Sequence, residues 1–386
     1  MKEMDNIPTP YYIVYEDRLV KNLRLIDRVQ REAGVKIIMA LKANALWRTF
    51  PIIARYVKAA TASSLNEMQL ALDYLGDEVH SYCPVYTSES FPKFLNGSTH
   101  ITFNSTSQAR RFLPEIESHN ATKETRKVSG GLRVNPQCSV IETDIYNPCL
   151  PGSRFGVSAD VLEREGMPKG IEGFHFHALC ESSSYDLEKV LEALEDQFGE
   201  YLPKLKWLNM GGGHLMTREG YDVDHLIGLL KKFKAKHPNL EIIMEPGSAF
   251  TWRTGDLVAT VLDIVENQGV STAIIDASFA CHMPDCLEMP YKPAITGEAS
   301  AEDPEAHEYR IGGNSCLSGD FVEGFRFPAP LLAGTKLTFE DMNHYTTVKT
   351  HSFNGIAHPS IWLAHSGGKL ELLRKFGYED YRDRMD

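Results

Sequence analysis

Residues 35–43 read VKIIMALKA, an apolar run rich in β-branched residues that carries a lysine, Lys42, at its far end. A run of this length and composition predicts a strand buried on both faces. Lysine is rarely taken fully inside a protein without a partner, because stripping water from an ammonium is costly. Seven further runs of the same kind follow: AATASS (59–64), EVHSYCP (78–84), HITFNS (100–105), GGLRVNP (130–136), IEGFHFHAL (171–179), KWLNMGG (206–212) and LEIIMEPG (240–247). Most end in Gly, Pro, Asn or Ser. Between several of them, TFPIIARYVKA, SLNEMQLALDYL and VDHLIGLLKKFKAKH space apolar residues three and four apart, as amphipathic helices do.

Strands alternating with helices, the strands apolar throughout, predict a parallel sheet covered on both faces. Eight such units predict an α/β fold of the (β/α)8 TIM-barrel type, assigned here to residues 17–252. The connections between the fourth and sixth strands are long and less clearly helical. After about residue 253 the texture changes. LVATVLDIVEN, TAIIDASFA, HEYRIGG, TKLTFED and YTTVKTHSF predict a second, mostly β domain. The opening YYIVY (11–15) predicts a strand that joins it, so that domain comprises residues 1–16 plus 253–386.

The net charge of -12 argues against a nucleic-acid partner, which needs clustered Lys and Arg, and suits a cationic substrate. The seven cysteines form no CxxC pair, as expected in a reducing compartment. No run has the length of a membrane span, and the start shows no signal-peptide core. A cytoplasmic protein with no membrane partner is expected.

In such a barrel the chemistry gathers at the C-terminal ends of the strands. Those ends carry Lys42, Ser63, Ser64, Arg133, His175, His177, the run Gly211–Gly213 and the run Glu245–Gly247. Lys42 is either a nucleophile with a depressed pKa or a lysine snorkelling to the rim. The glycines offer a backbone nest for an anion, or simply make turns. His175 and His177 fall on one face of their strand. A metal would need more ligands, of which only Glu245 is an obvious candidate, so no metal is expected. One imidazole packs on a planar ring, or His175 is satisfied inside the barrel. Taken together, a lysine nucleophile, a phosphate nest, an acid and a stacking histidine describe a pocket for pyridoxal 5'-phosphate.

The motifs LKAN, FHALCE, NMGGG, MEPG and GNSCLSGD occur here in the order of a known family. The chain resembles the alanine-racemase-like pyridoxal phosphate enzymes, among them the decarboxylases of ornithine and diaminopimelate. It resembles most the branch acting on carboxylated triamines (carboxynorspermidine and carboxyspermidine), in polyamine biosynthesis. The resemblance covers essentially the whole chain. It implies that Lys42 joins the cofactor covalently, that Glu245 pairs with the ring nitrogen and that His177 stacks on the ring. Arg133, Gly213, Gly247 and Tyr345 would help to hold the cofactor. Cys316 would return a proton to the substrate after CO2 leaves, while Glu181, Asp276 and Asp320 would meet substrate amines. It also implies a homodimer whose β-domains complete shared active sites. Three departures bear on cofactor or substrate. Ser248 follows EPG where ornithine decarboxylases have Arg, which removes a cationic partner from the phosphate. Glu181 stands in place of the small residue of the ornithine enzymes' HVGSG and adds an acid that would face an amine. Cys316-Leu317-Ser318-Gly319-Asp320 lacks the glutamate of the diaminopimelate enzymes' C-E-S-x-D.

Other readings of the same scaffold are a diaminopimelate or ornithine decarboxylase, an amino-acid racemase, or a non-catalytic regulator that kept the fold. A racemase needs a second base where the Cys316 segment falls. A regulator can lose Lys42 or Cys316, and both are present.

Overall fold

The computed structural model describes residues 4–122, 124–141 and 143–386; residues 1–3, at the start of the expected β-domain, lie outside them. Two compact units form, Val20–Phe250 and the combination of the chain up to Leu19 with Thr251–Asp386. The expected boundaries were 17 and 252.

In the first unit, parallel strands run in the order of the chain: Met39–Ala40, Ala59–Ala62, Glu78–Tyr82, His100–Phe103, Ser129–Arg133, Gly173–His175, Trp207–Asn209 and Glu241–Met244. The ring closes through the stretch that opened the sequence reading. Lys36–Ile37 pairs with the last strand, and Met39–Ala40, one residue further along, pairs with the second. Ile38 N–H donates to Met244 O at 2.9 Å, so the junction is itself hydrogen-bonded. The eight predicted runs are therefore the eight barrel positions, the first of them split at Ile38.

Side chains two residues apart share a face, so each strand contributes a ladder of inward positions. At the N-terminal ends Lys36 bridges Glu78 and Glu241, each at 2.8 Å. Above them Ile38, Ala59, Trp207 and Ile243 form an apolar floor. The Trp207 indole lies so close to Gly131 and Gly173 that a Cβ on Gly173 would fall 1.9 Å from it and one on Gly131 2.2 Å. Its Nε1–H donates to Ser129 Oγ at 2.8 Å. Those two glycines therefore make room for the indole and not for a turn.

Helices cover the outside, including Leu65–Tyr74, Thr106–Ala121, Ser184–Phe198 and Val223–Lys236. Ser64, Ser105, Ser183 and Asp222 cap them, each side-chain oxygen accepting a first-turn N–H. TFPIIARYVKA yields only the short helix Phe50–Ile53. The connection from Arg133 to Gly173 holds only Asp144–Tyr146 and Ala159–Glu165 as helical turns.

In the second unit Tyr11–Tyr15 sits between Gly255–Asn267, antiparallel, and Ser360–Ala364, parallel. An eight-stranded sheet results. Its core gathers Tyr12, Leu257, Val261, Ile275, Phe279, Ile311, Phe325 and Phe339. One expected strand does not form: YTTVKTHSF is a run of turns. Tyr345 there has φ +54°, a left-handed conformation incompatible with an extended strand, and the N–H groups of Val348 and Lys349 both fold back onto its carbonyl. Among the described residues no helix is long and apolar enough to cross a membrane.

Gly173→Ala should force a methyl group into the Trp207 indole and cost about 1–3 kcal/mol or more, the range of core overpacking. Urea unfolding measures it, and adding Trp207→Leu should recover part of the loss. An unchanged midpoint for Gly173→Ala would show that the floor is loosely packed.

Candidate active site

The strand ends open onto a cavity of about 330 Å³ lined by Lys42, Thr61, Ser63, Tyr82, Arg133, His175, His177, Gly212 and Glu245, with Ile145–Pro148 on one side. These strand residues are the upper rungs of the inward ladders. Lys42 follows Ala40, Ser63 follows Thr61, and His177 follows His175. Lys42 is accessible from within the cavity. The wall around it strips water from the ammonium and pushes its pKa down, and the Arg133 guanidinium adds to the drop. An amine so placed is readily neutral and nucleophilic.

Arg133 is 4% exposed, held between the rings of Tyr82 (4.8 Å) and Phe155 (4.6 Å). Among the described residues it forms no ion pair; its Nη2 donates to His177 O at 3.4 Å. A buried cation in that position calls for an anion.

Glu245 is the acid of the cavity. Asn209 Nδ2 donates to its Oε1 at 2.7 Å, and His175 Nε2 lies 3.3 Å from its Oε2. Burial pushes its carboxyl up, but the attraction and hydrogen bond of His175, the nearby His80 and the Asn209 amide together outweigh burial and hold it below the usual carboxylate range.

His177 Nδ1 accepts the Gly212 N–H at 3.0 Å, so its Nε2 carries the proton, and burial holds the ring neutral. Gly211 and Gly213 have φ of +67° and +89°, and a Cβ on either would strike a backbone carbonyl oxygen, of Phe176 at 2.2 Å or Leu179 at 2.1 Å. At Gly247 the obstacle is a side chain: a Cβ there would fall 2.6 Å from the Ala43 Cβ. Gly211 and Gly213 are thus demanded by backbone packing, and Gly247 by the Ala43 methyl group. Even so, the N–H groups of Gly213 and Gly247 donate to no acceptor among the described residues, which leaves both for an anion.

The remaining candidates lie elsewhere. Glu181, exposed at the cap of the His177 segment, has φ +48°, and its carbonyl accepts from Arg218 at 3.1 Å. Cys316, Asp276, Asp320 and Tyr345 belong to the β unit. Cys316 is exposed, its N–H bonded to Asn354 Oδ1 at 2.8 Å. Asp276 accepts from Thr9 Oγ1 (2.6 Å) and Thr260 N (2.7 Å). Asp320 is buried and accepts four bonds, from Ser278 Oγ, Ala280 N, Ser315 Oγ and Ser315 N. Three of these bonds crowd Oδ2 and one reaches Oδ1, so Asp320 keeps an acceptor site on Oδ1, as Asp276 keeps one on each oxygen.

Two contributors escaped the sequence reading. Asn209 is a polar residue at an inward strand position, the signal that could have found it. Tyr82 shares the inward face of Glu78 and His80, and stacks on His175 at 5.4 Å. The Ile145–Pro148 segment carries no motif at all.

A barrel of this kind, with a desolvated lysine and an ionised acid on one cavity and a separate β sheet, suits enzymes whose cofactor is joined to a lysine amine. Residues 14–343 match the family model described as pyridoxal-dependent decarboxylase, C-terminal sheet domain, and the chain belongs to that family of enzymes. It is 46% identical over 384 residues to carboxyaminopropylagmatine decarboxylase of Synechocystis sp., covering 99% of this chain and 96% of that one. It is 38% identical over 387 residues to carboxynorspermidine/carboxyspermidine decarboxylase of Campylobacter jejuni, covering 98% of each. The crystal structure of carboxynorspermidine decarboxylase from Campylobacter jejuni, complexed with norspermidine, superimposes with a TM-score of 0.88 at 37% identity, over 98% of this chain and 100% of that one.

The residues present fit pyridoxal phosphate. Arg133 lacks a counter-ion among the described residues, the N–H groups of Gly213 and Gly247 are unpaired, and Lys42 and Glu245 line one cavity. Borohydride treatment of the holoenzyme should fix the cofactor to Lys42, and Lys42→Ala should lose that label together with turnover. Mass spectrometry of the digest checks this; a label on another lysine would remove Lys42 from its role.

Proposed function

We propose that this chain holds pyridoxal 5'-phosphate and decarboxylates carboxynorspermidine or carboxyspermidine to norspermidine or spermidine and CO2, in polyamine biosynthesis. The observation that carries the chemistry is the shared cavity of Lys42 and Glu245. Lys42 supplies the neutral amine that holds the cofactor. When bound, pyridoxal phosphate supplies an electron sink for the electron pair left behind as CO2 departs. Glu245 holds a proton on the ring nitrogen, His177 supports the ring, and Arg133, Gly213, Gly247 and Tyr345 complete its binding. Cys316 Sγ returns a proton to the α-carbon of the product, for which its exposure suits it.

The substrate's ammonium groups fall to Glu181, Asp276 and Asp320, the last through Oδ1, which accepts only from Ala280 N among the described residues. The acidic balance of the chain favours such a polycation. The full-length similarity to two decarboxylases named for carboxylated polyamines supports the substrate class. It also favours a second reading, because the 46% identical relative is named for a guanidino-terminated substrate, carboxyaminopropylagmatine. A guanidinium would ask for a bidentate carboxylate where a primary amine asks for a point charge. The free thiols support a cytoplasmic setting.

CO2 release across carboxynorspermidine, carboxyspermidine, carboxyaminopropylagmatine, meso-diaminopimelate and ornithine tests this directly. The carboxylated polyamines should exceed the last two in kcat/KM by a factor on the order of 10² or more, since acids built to meet amines are left unpaired by a shorter substrate. Comparable turnover of diaminopimelate overturns the substrate class. A clear preference for carboxyaminopropylagmatine selects the second reading.

We infer a homodimer with shared sites from the family. Lys42→Ala and Cys316→Ala variants, each inactive alone, should regain partial activity after subunit exchange. No recovery, with exchange confirmed by native mass spectrometry, would place Cys316 in its own protomer's site or outside the mechanism.

A further inference from the structure

His175 has so far been only a neighbour of Glu245, and its surroundings are unusually complete. The strand register sets Arg133 opposite His175 and His175 opposite Asn209. His175 and Asn209 reach the two different oxygens of Glu245, at 3.3 and 2.7 Å. Tyr82 stacks on the His175 ring with the planes 19° apart, and the Tyr82 hydroxyl is itself anchored on Asn104 Oδ1 at 2.8 Å. The imidazole therefore has its plane fixed by one neighbour and its edge aimed at another.

Its tautomer follows from the same contacts. Glu245 as a carboxylate can only accept, so Nε2 carries a proton. Nδ1 is buried and has no partner among the described residues. A proton there as well would be an unsatisfied buried donor, and burial already disfavours the charged ring. His175 is the neutral Nε2–H tautomer, a fixed donor to one oxygen.

We propose that His175 is a positioning residue for Glu245: its Nε2–H, with the Asn209 amide on the other oxygen, keeps Glu245 an ionised acceptor lining the cavity and so decides that the cofactor's ring nitrogen carries the proton. The proposal rests on the pyridoxal phosphate reading above. The physical reason lies in the proton shared by acid and ring. One proton can sit on the ring nitrogen beside a carboxylate, or on the carboxyl beside a neutral ring. A hydrogen bond donated to Glu245 stabilises the first arrangement more than the second, because a carboxylate is a much stronger acceptor than a neutral carboxyl. Without it, burial favours the second. Lys42, His80, His100, Arg133, His177 and His214 also bear on this pair electrostatically. None of the six makes the hydrogen bond to Oε2.

The test uses holoenzyme loaded with pyridoxal phosphate carrying ¹⁵N in the ring, without substrate. The wild-type signal should be that of a protonated ring nitrogen across neutral pH. His175→Phe keeps the stacking shape and removes the donor, and should move the signal toward neutral pyridine. His175→Gln, whose amide can stand in for Nε2–H, should return it toward the wild-type position. Turnover should follow, with kcat falling more than tenfold in the Phe variant at nearly unchanged KM. If the Phe variant does not fold, His175→Asn, whose shorter amide falls short of Glu245, takes its place. A Phe or Asn signal at the wild-type position overturns the proposal, as does a Gln signal displaced as far as either. A wild-type protein that takes up no labelled cofactor overturns the cofactor reading and this proposal together, whereas failure of the substrate panel alone leaves the ¹⁵N result standing.

Discussion

A parallel ring that closes on itself has no edge along which to slip, and most of this molecule's chemistry depends on that closure. The stretch from Lys36 to Ala40 pairs with the last strand on one side and the second on the other. A slip of one residue would turn every inward side chain outward. With the register locked, the ladders stack in layers. Lys36, Glu78 and Glu241 lie at the bottom, Ile38, Trp207 and Ile243 form the floor, and Arg133, His175, Asn209 and Glu245 stand above it, with Lys42 and His177 at the top. His80 and His100, stacked at 3.9 Å beside Trp207, link the lower polar cluster to the upper one, His80 meeting Glu78 at 3.2 Å and acting on Glu245 through its charge.

The upper layer works because one set of walls pushes its groups in opposite directions. Desolvation lowers the proton affinity of Lys42 and His177, which leaves Lys42 a neutral amine and His177 a neutral ring whose Nδ1 is held by Gly212. The same desolvation pushes the Glu245 carboxyl up, and His175, His80 and Asn209 together outweigh it. A lysine that gives up its proton beside an acid that keeps its charge is the arrangement a pyridine cofactor requires. Arg133, without a counter-ion among the described residues, places a positive charge in the cavity despite the acidity of the chain as a whole.

The glycines show how one residue type answers two demands. Gly211 and Gly213 are there because neighbouring backbone leaves no room for a Cβ, and Gly247 because the Ala43 side chain does not. That close approach also leaves N–H groups bare of side chains, which suits an anion. Turn-making and anion-binding are two consequences of the same geometry. In the β unit the reverse holds for Asp320, whose carboxylate is taken up mainly in holding Ser278, Ala280 and Ser315 together.

The eight barrel positions, the β-rich second half and the strand-end residues Lys42, Arg133, His175, His177 and Glu245 were all legible in the sequence. Each rests on a local pattern: an apolar run, a period of two, a strand terminus. YTTVKTHSF was misread as a strand because its composition is β-like, and a left-handed Tyr345 leaves no trace in composition. The sequence also could not show which histidine serves Glu245, that Asn209 holds its other oxygen, or that Asp320 accepts from Ser278, Ala280 and Ser315. Those facts join residues far apart in the chain, 70 positions for His175 and Glu245 and 36 for Asn209 and Glu245. Sequence determines the face a side chain takes, through the short-range geometry of its own strand. The partner it meets on that face is decided only when the ring closes, because the register between strands is a property of the whole barrel.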